Sequence, residues 1–174
     1  VVTLSGPDGY IYDEAGFSGE KIDYMLELRA TNNDIVEPFV DEFDGIEFFP
    51  DKRPWEVNVD IALPCATQNE LDKEDAQNLV KNKCICLAEG ANMPCTPEAI
   101  DIFHRNRMLF APGKAANAGG VATSGLEMSQ NATKIRWNRE EVDDKLHRIM
   151  KQIHQACVKH GTLNDGYVDY VKGA

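Results

Sequence analysis

Positive charge is scarce in this chain. Across 174 residues, 18 Lys and Arg stand against 29 Asp and Glu, a formal net charge of −11. Sequence-independent nucleic-acid binding depends on basic side chains that neutralise phosphates, so that class of function is excluded. A pocket for one small anion needs only a few local donors and stays open. Long apolar runs are missing too. None approaches the roughly 18 residues of a membrane-spanning helix, so no membrane partner is expected. No secretory signal is visible, and the expected location is cytoplasmic. Cysteine occurs five times, at 65, 84, 86, 95 and 157, never with C-x-x-C spacing. Those spacings lack the ligand sets of a zinc site, so no metal is expected. Reduced, mostly buried thiols are the plainer reading. Internal repeats and low-complexity segments are absent. So is G-x-G-x-x-G, the glycine turn that follows the first strand of a complete dinucleotide-binding unit.

Strand-like and helix-like segments alternate along the chain. The apolar fraction of 43% and charged fraction of 27% are ordinary for a globular protein. The alternation predicts an α/β fold, with strands at 1–4, 46–49, 59–63, 84–88 and 108–111 in one mainly parallel sheet. Helices are expected on both faces. Ile22, Met25, Leu26 and Arg29 fit one helix face, with Ser18 as its cap. A second short helix would use Val36, Phe39, Val40 and Phe43. Asp72 caps the helix carrying Leu79 and Val80. Thr96-Pro97-Glu98 joins a capping hydroxyl to Pro at the first helical position. Asn138 with Glu141 opens a long amphipathic helix over Val142, Leu146, Ile149, Ile153 and Cys157, which Gly161 can end.

Small residues crowd 113–131, Gly-Lys-Ala-Ala-Asn-Ala-Gly-Gly-Val-Ala-Thr-Ser-Gly-Leu-Glu-Met-Ser-Gln-Asn. A ligand can approach such a backbone closely. A helix beginning near Gly120 would turn its positive end toward an anion. In a doubly wound sheet, ligands lie beyond the carboxyl ends of the strands. Three small or polar segments follow apolar strands: Pro64 to Asn69, Glu89 to Asn92, and Pro112 to Gly120. Any one of them reads as an ordinary turn. All three are expected on one edge, which points to a nucleotide site.

Three segments also resemble the hexameric glutamate dehydrogenases. They are Asp60-Ile61-Ala62-Leu63-Pro64-Cys65-Ala66-Thr67-Gln68-Asn69-Glu70-Leu71, Ala88-Glu89-Gly90-Ala91-Asn92-Met93-Pro94, and the small-residue run. The resemblance runs from Val1 to Ala174 and implies most of a cofactor-binding domain. It implies a Rossmann-like, doubly wound, mainly parallel sheet whose first βα unit is missing, and a substrate domain outside the chain. It further implies reversible conversion of L-glutamate to 2-oxoglutarate and ammonia, in a homohexamer. Ala66, Thr67 and Asn69 would line the nicotinamide ribose. Gly90 and Asn92 would sit against the same half of the cofactor, and Asn117 would hold its carboxamide. Ser124, with Gly120 and Val121, would reach the substrate. The catalytic residues would belong to the missing domain, so this piece alone is expected to be inactive.

An NAD-preferring domain usually ends its second strand in Asp or Glu. Here Ser5-Gly6-Pro7 stands there, and a hydroxyl suits a 2′-phosphate. NADP is therefore the expected cofactor. The nearby Asp8 keeps NAD open, as does Gly6, where NADP-preferring relatives often carry Asp. Two other readings stand beside this one: a sister dehydrogenase for leucine, valine or phenylalanine, and a non-catalytic nucleotide-binding or scaffold module. Ser124 in the context Ala122-Thr123-Ser124-Gly125 favours glutamate over the first.

Overall fold

The computed structural model describes residues 1–174. It divides into two compact units, Val1–Glu56 and Val57–Ala174.

The first unit is an antiparallel meander with two helices. Strand β1 (Thr3–Gly6) turns through Pro7-Asp8 into β2 (Gly9–Tyr12), with Ser5 opposite Tyr10 and Gly6 opposite Gly9. A Cβ on Gly9, at φ +143°, would lie 2.2 Å from the Phe49 carbonyl oxygen, so only glycine fits the turn. Helices α1 (Gly19–Ala30) and α2 (Phe39–Glu42) follow, and β3 (Glu47–Pro50) pairs with the free edge of β2. Ile11, Phe17, Val36, Phe39 and Ile46 form the core, with Tyr24, Met25, Leu28 and Phe43 packed on it. Fully burying a side chain such as Phe39 contributes about 1.5–3 kcal/mol. The buried stripe of α1 is thus Tyr24, Met25 and Leu28. Ile22 and Leu26, expected inside, are 42% and 56% exposed. Ser18 is the N-cap, but its side chain caps nothing. The Asp8 carboxylate accepts from the Val36 amide at 2.9 Å and the Glu37 amide at 2.9 Å. It is engaged in closing the loop before α2.

The second unit carries the parallel sheet, in the order β4 (Ile61–Ala62), β5 (Cys86–Ala88), β6 (Leu109–Ala111). Ala62 lies opposite Leu87, and Leu87 opposite Phe110. These three are buried along with Leu71, Ala76, Leu79, Ala99 and Phe103. The last five come from the crossovers that carry α3 (Lys73–Lys81) and α4 (Pro97–Arg105). The alternate positions Ile61 and Leu109 are 58% and 40% exposed. Local chemistry sets the helix starts. Asp72 accepts from the Glu74 and Asp75 amides while Asp75 returns the bond, and Thr96 accepts from Ala99. Asn138 and Glu141 form the same reciprocal box at the head of α7 (Arg139–Gly161). Before it come α5 (Gly113–Ala116) and α6 (Ala118–Thr133), and after it α8 (Tyr170–Gly173).

The α/β class and the parallel sheet agree with the expectation from sequence. The single five-stranded sheet does not. Residues 3–6 and 47–50 instead pair antiparallel with 9–12. The physical reason is proximity in sequence: a two-residue turn delivers β2 to the edge of β1 at little entropic cost. Gly161 also has another purpose than the expected C-cap. A Cβ there would lie 2.2 Å from the Asp169 oxygen, and one on Gly173 would lie 2.2 Å from the Cys157 oxygen. Both glycines let α7 and α8 touch backbone to backbone.

Candidate functional site

Because β4, β5 and β6 run parallel, the segments that leave their carboxyl ends gather on one edge of the second unit. Hydrogen bonds then fasten those segments together. Gly90 and Ala91 donate to the Pro64 oxygen at 2.9 and 3.1 Å. A Cβ on Gly90 would lie 2.4 Å from Cys65 Sγ, so glycine permits this approach. Asn69, in the left-handed region at φ 58°, donates to the Met93 oxygen at 3.0 Å. Ala66 donates to Glu70 Oε1 at 2.8 Å.

The third segment is tied to the second. Asn117 Nδ2 donates to the Ala91 oxygen at 2.9 Å and to Asn92 Oδ1 at 2.8 Å. Both of its amide hydrogens are spent on protein, and the free group of Asn117 is Oδ1, an acceptor. Beneath this pair lies Glu89, 4% exposed. Its Oε2 accepts from the Gly113 amide at 2.6 Å and its Oε1 from the Cys95 amide at 3.4 Å. The Cys95 thiol is pushed well above the ordinary thiol range by burial and by Glu89 beside it.

The structure therefore joins Asn92 to Asn117 directly, and brings Gly90 to the loop that carries Ala66, Thr67 and Asn69. Ala66, Thr67, Asn69, Gly90 and Asn92 are exposed, and Asn117 is half-buried. Gly120, Val121 and Ser124 stand together on the open side of α6. Val121 is 73% exposed, and nothing lies within 4 Å of a Cβ placed on Gly120. Ser124 Oγ donates to the Gly120 oxygen at 3.3 Å, a long, exposed bond. The helical run begins earlier than expected. It starts at Gly113, and Asn117 is the hinge between α5 and α6 rather than a loop residue. Ser5 belongs to the other unit, exposed on β1 beside the turn.

Two carboxylates at this edge, Glu89 and Glu70, stand outside the site residues expected from the sequence. Each follows a strand in a polar loop, where acidic side chains normally face water. The signal for Glu89 was its place directly after the apolar run Cys86 to Ala88, where a side chain falls inside. Neither carboxylate faces the open edge as a free acid or base, because each accepts from backbone amides. Apart from the exposed Lys114 on α5, what the edge offers is neutral: amides, a hydroxyl, the Cys65 thiol and bare backbone.

A parallel sheet whose strand-end loops meet on one edge is the arrangement in which α/β proteins hold small ligands. Over residues 1–174 the chain matches Glutamate/Leucine/Phenylalanine/Valine dehydrogenase, and it belongs to that family. It is 67% identical over 174 residues to the NAD-specific glutamate dehydrogenase of Bacteroides fragilis, covering 100% of this chain and 39% of that protein. It is 53% identical over 175 residues to the NADP-specific glutamate dehydrogenase of Haemophilus influenzae, again covering 100% and 39%. The crystal structure of Plasmodium falciparum glutamate dehydrogenase matches with a TM-score of 0.93 and 42% identity, over 99% of this chain and 37% of that one. The chain thus spans well under half the length of the relatives it matches.

Proposed function

We propose that this chain is the cofactor-binding part of a glutamate dehydrogenase. In that reading the complete enzyme reversibly oxidises L-glutamate to 2-oxoglutarate and ammonia, with hydride transfer to a nicotinamide dinucleotide. The observation that carries it is the Asn92–Asn117 pair at the strand ends, joined at 2.8 Å. A nicotinamide carboxamide presents N–H donors, and the free Asn117 Oδ1 is the acceptor they need. The donor set fits the cofactor in another way. Ribose hydroxyls suit Thr67 and Asn69, and the bare backbone at Ala66 and Gly90 admits a ring closely. The bound cofactor supplies the hydride chemistry, and the protein supplies binding and orientation.

Gly120, Val121 and Ser124 are assigned to the substrate. A hydroxyl bonded to the side-chain carboxylate of glutamate separates it from apolar amino acids. To donate there, Ser124 exchanges its 3.3 Å bond to Gly120. The catalytic acid and base are assigned to the substrate domain outside this chain, and the enzyme is read as a cytoplasmic homohexamer.

NADP is the cofactor we propose. Support comes from Ser5, an exposed hydroxyl where NAD-preferring domains place a carboxylate. Asp8, the acid in that turn, is engaged with the Val36 and Glu37 amides. NAD is the second reading, favoured by the name of the Bacteroides fragilis relative. The test is to supply the full-length protein with L-glutamate and either cofactor, following the absorbance of reduced nicotinamide. Turnover with glutamate supports the reading. Turnover only with leucine, valine or phenylalanine, or none at all, rejects it.

A further inference from the structure

Glu89 is a buried acid whose partners are two backbone amides and a thiol rather than a Lys or Arg. Burying a carboxylate is costly, and a fold keeps one where its acceptors are satisfied. We propose that Glu89 is a positioning residue, one that sets the Asn117 carboxamide by pinning Gly113 and Cys95. The proposal rests on the reading that these loops hold the nicotinamide half of the cofactor.

The bonds form a closed ring. Glu89 Oε2 holds the Gly113 amide at 2.6 Å, and the Gly113 oxygen takes the Asn117 amide at 3.0 Å. The Asn117 side chain then returns to Ala91 and Asn92, two and three residues beyond Glu89. Nothing in the ring has slack. A Cβ on Gly113 would lie 3.0 Å from the Ala91 oxygen, 3.2 Å from Asn117 Nδ2 and 3.4 Å from Glu89 Oε2. Glu89 and Asn117 thus fix each other through one glycine. The outward product is the direction of Asn117 Oδ1.

The experiment is a double-mutant cycle on the full-length protein, read by fluorescence titration with NADPH and with NADH. Glu89→Gln keeps the size but offers one acceptor and one NH2 donor where two amides need acceptors. The cofactor Kd should rise about tenfold to a hundredfold, the weight of one hydrogen bond to a charged group. Asn117→Ala should cost a similar factor, and the double variant should lose nothing further, because both act through one group. Losses that multiply in the double variant would overturn the proposal, since Glu89 would then act elsewhere. If Asn117→Ala alone binds cofactor like the parent, the reading of the loops falls and takes the proposal with it. That outcome is visible in the single variant and is distinct from the first. Should Glu89→Gln not fold, Glu89→Asp enters the same cycle with the same outcomes. It keeps the charge but is one methylene too short to reach both amides.

Discussion

The Asn117 carboxamide donates to Oδ1 of Asn92 at 2.8 Å, binding the α5–α6 junction to the loop after β5. The same nitrogen donates to the Ala91 oxygen at 2.9 Å. Asn117→Asp places an acceptor against both acceptors. The expected loss of stability is about 1–3 kcal/mol, from polar groups left without partners. Chemical denaturation measures it, and an unchanged midpoint would show that the pair is incidental.

Ser124→Ala should leave stability nearly unchanged, since its one bond is long and exposed. Activity should fall. Losing a hydrogen bond to a charged group costs about 1.5–3 kcal/mol, roughly a tenfold to hundredfold drop in kcat/KM for glutamate. Norvaline, which lacks the side-chain carboxylate, should lose far less. Equal losses on both substrates would remove Ser124 from the substrate site.

Ser5→Asp tests the choice of cofactor. A carboxylate at the end of β1 repels a 2′-phosphate and accepts from a free ribose hydroxyl. The ratio of kcat/KM for NADP to that for NAD should fall in the full-length protein. A ratio equal to the parent's would mean that Ser5 does not meet the ribose.

Cys65 gives a pH-dependent probe of the same edge. It is exposed, whereas Cys84, Cys95 and Cys157 are buried. Burial of the sulfur, with Glu70 nearby, raises its pKa, while the Gly90 amide opposes the shift. A raised pKa means less thiolate at neutral pH, so alkylation should be slow there and quicken as pH passes the ordinary thiol range. Mass spectrometry should find Cys65 labelled ahead of the three buried cysteines, and saturating cofactor should protect it. Labelling that cofactor leaves untouched would place the ligand away from Cys65.

Gly161→Ala should destabilise without touching the site. The added methyl would lie 2.2 Å from the Asp169 oxygen, and overpacking of that kind costs about 1–3 kcal/mol. The thermal midpoint should drop while cofactor affinity holds. A midpoint equal to the parent's would mean that α8 moves aside freely.

Helix starts were the most legible part of the chain. Asp72, Thr96 and Asn138 cap as read, because a cap is decided within four residues. The phase of α1 was not legible. Apolar residues occupy both its faces, and only the Ile11 and Phe39 core selects Tyr24, Met25 and Leu28. Strand partners were equally hidden. Val1 to Leu4 is apolar enough for a parallel strand, yet the turn at Pro7-Asp8 supplies an antiparallel neighbour to Thr3–Gly6 first. At the site, the polar segments after the strands could be read from their residue types. Glu89 could not, since its role depends on Gly113, 24 residues away.

The proposed site requires the segments after β4, β5 and β6 to hold a nicotinamide dinucleotide. A crystal structure of the full-length protein with NADP or NAD bound decides the matter. The nicotinamide carboxamide is expected within hydrogen-bond reach of Asn117 Oδ1, with Ala66, Thr67, Asn69, Gly90 and Asn92 around that half of the cofactor. A dinucleotide bound without contact to these loops would contradict it.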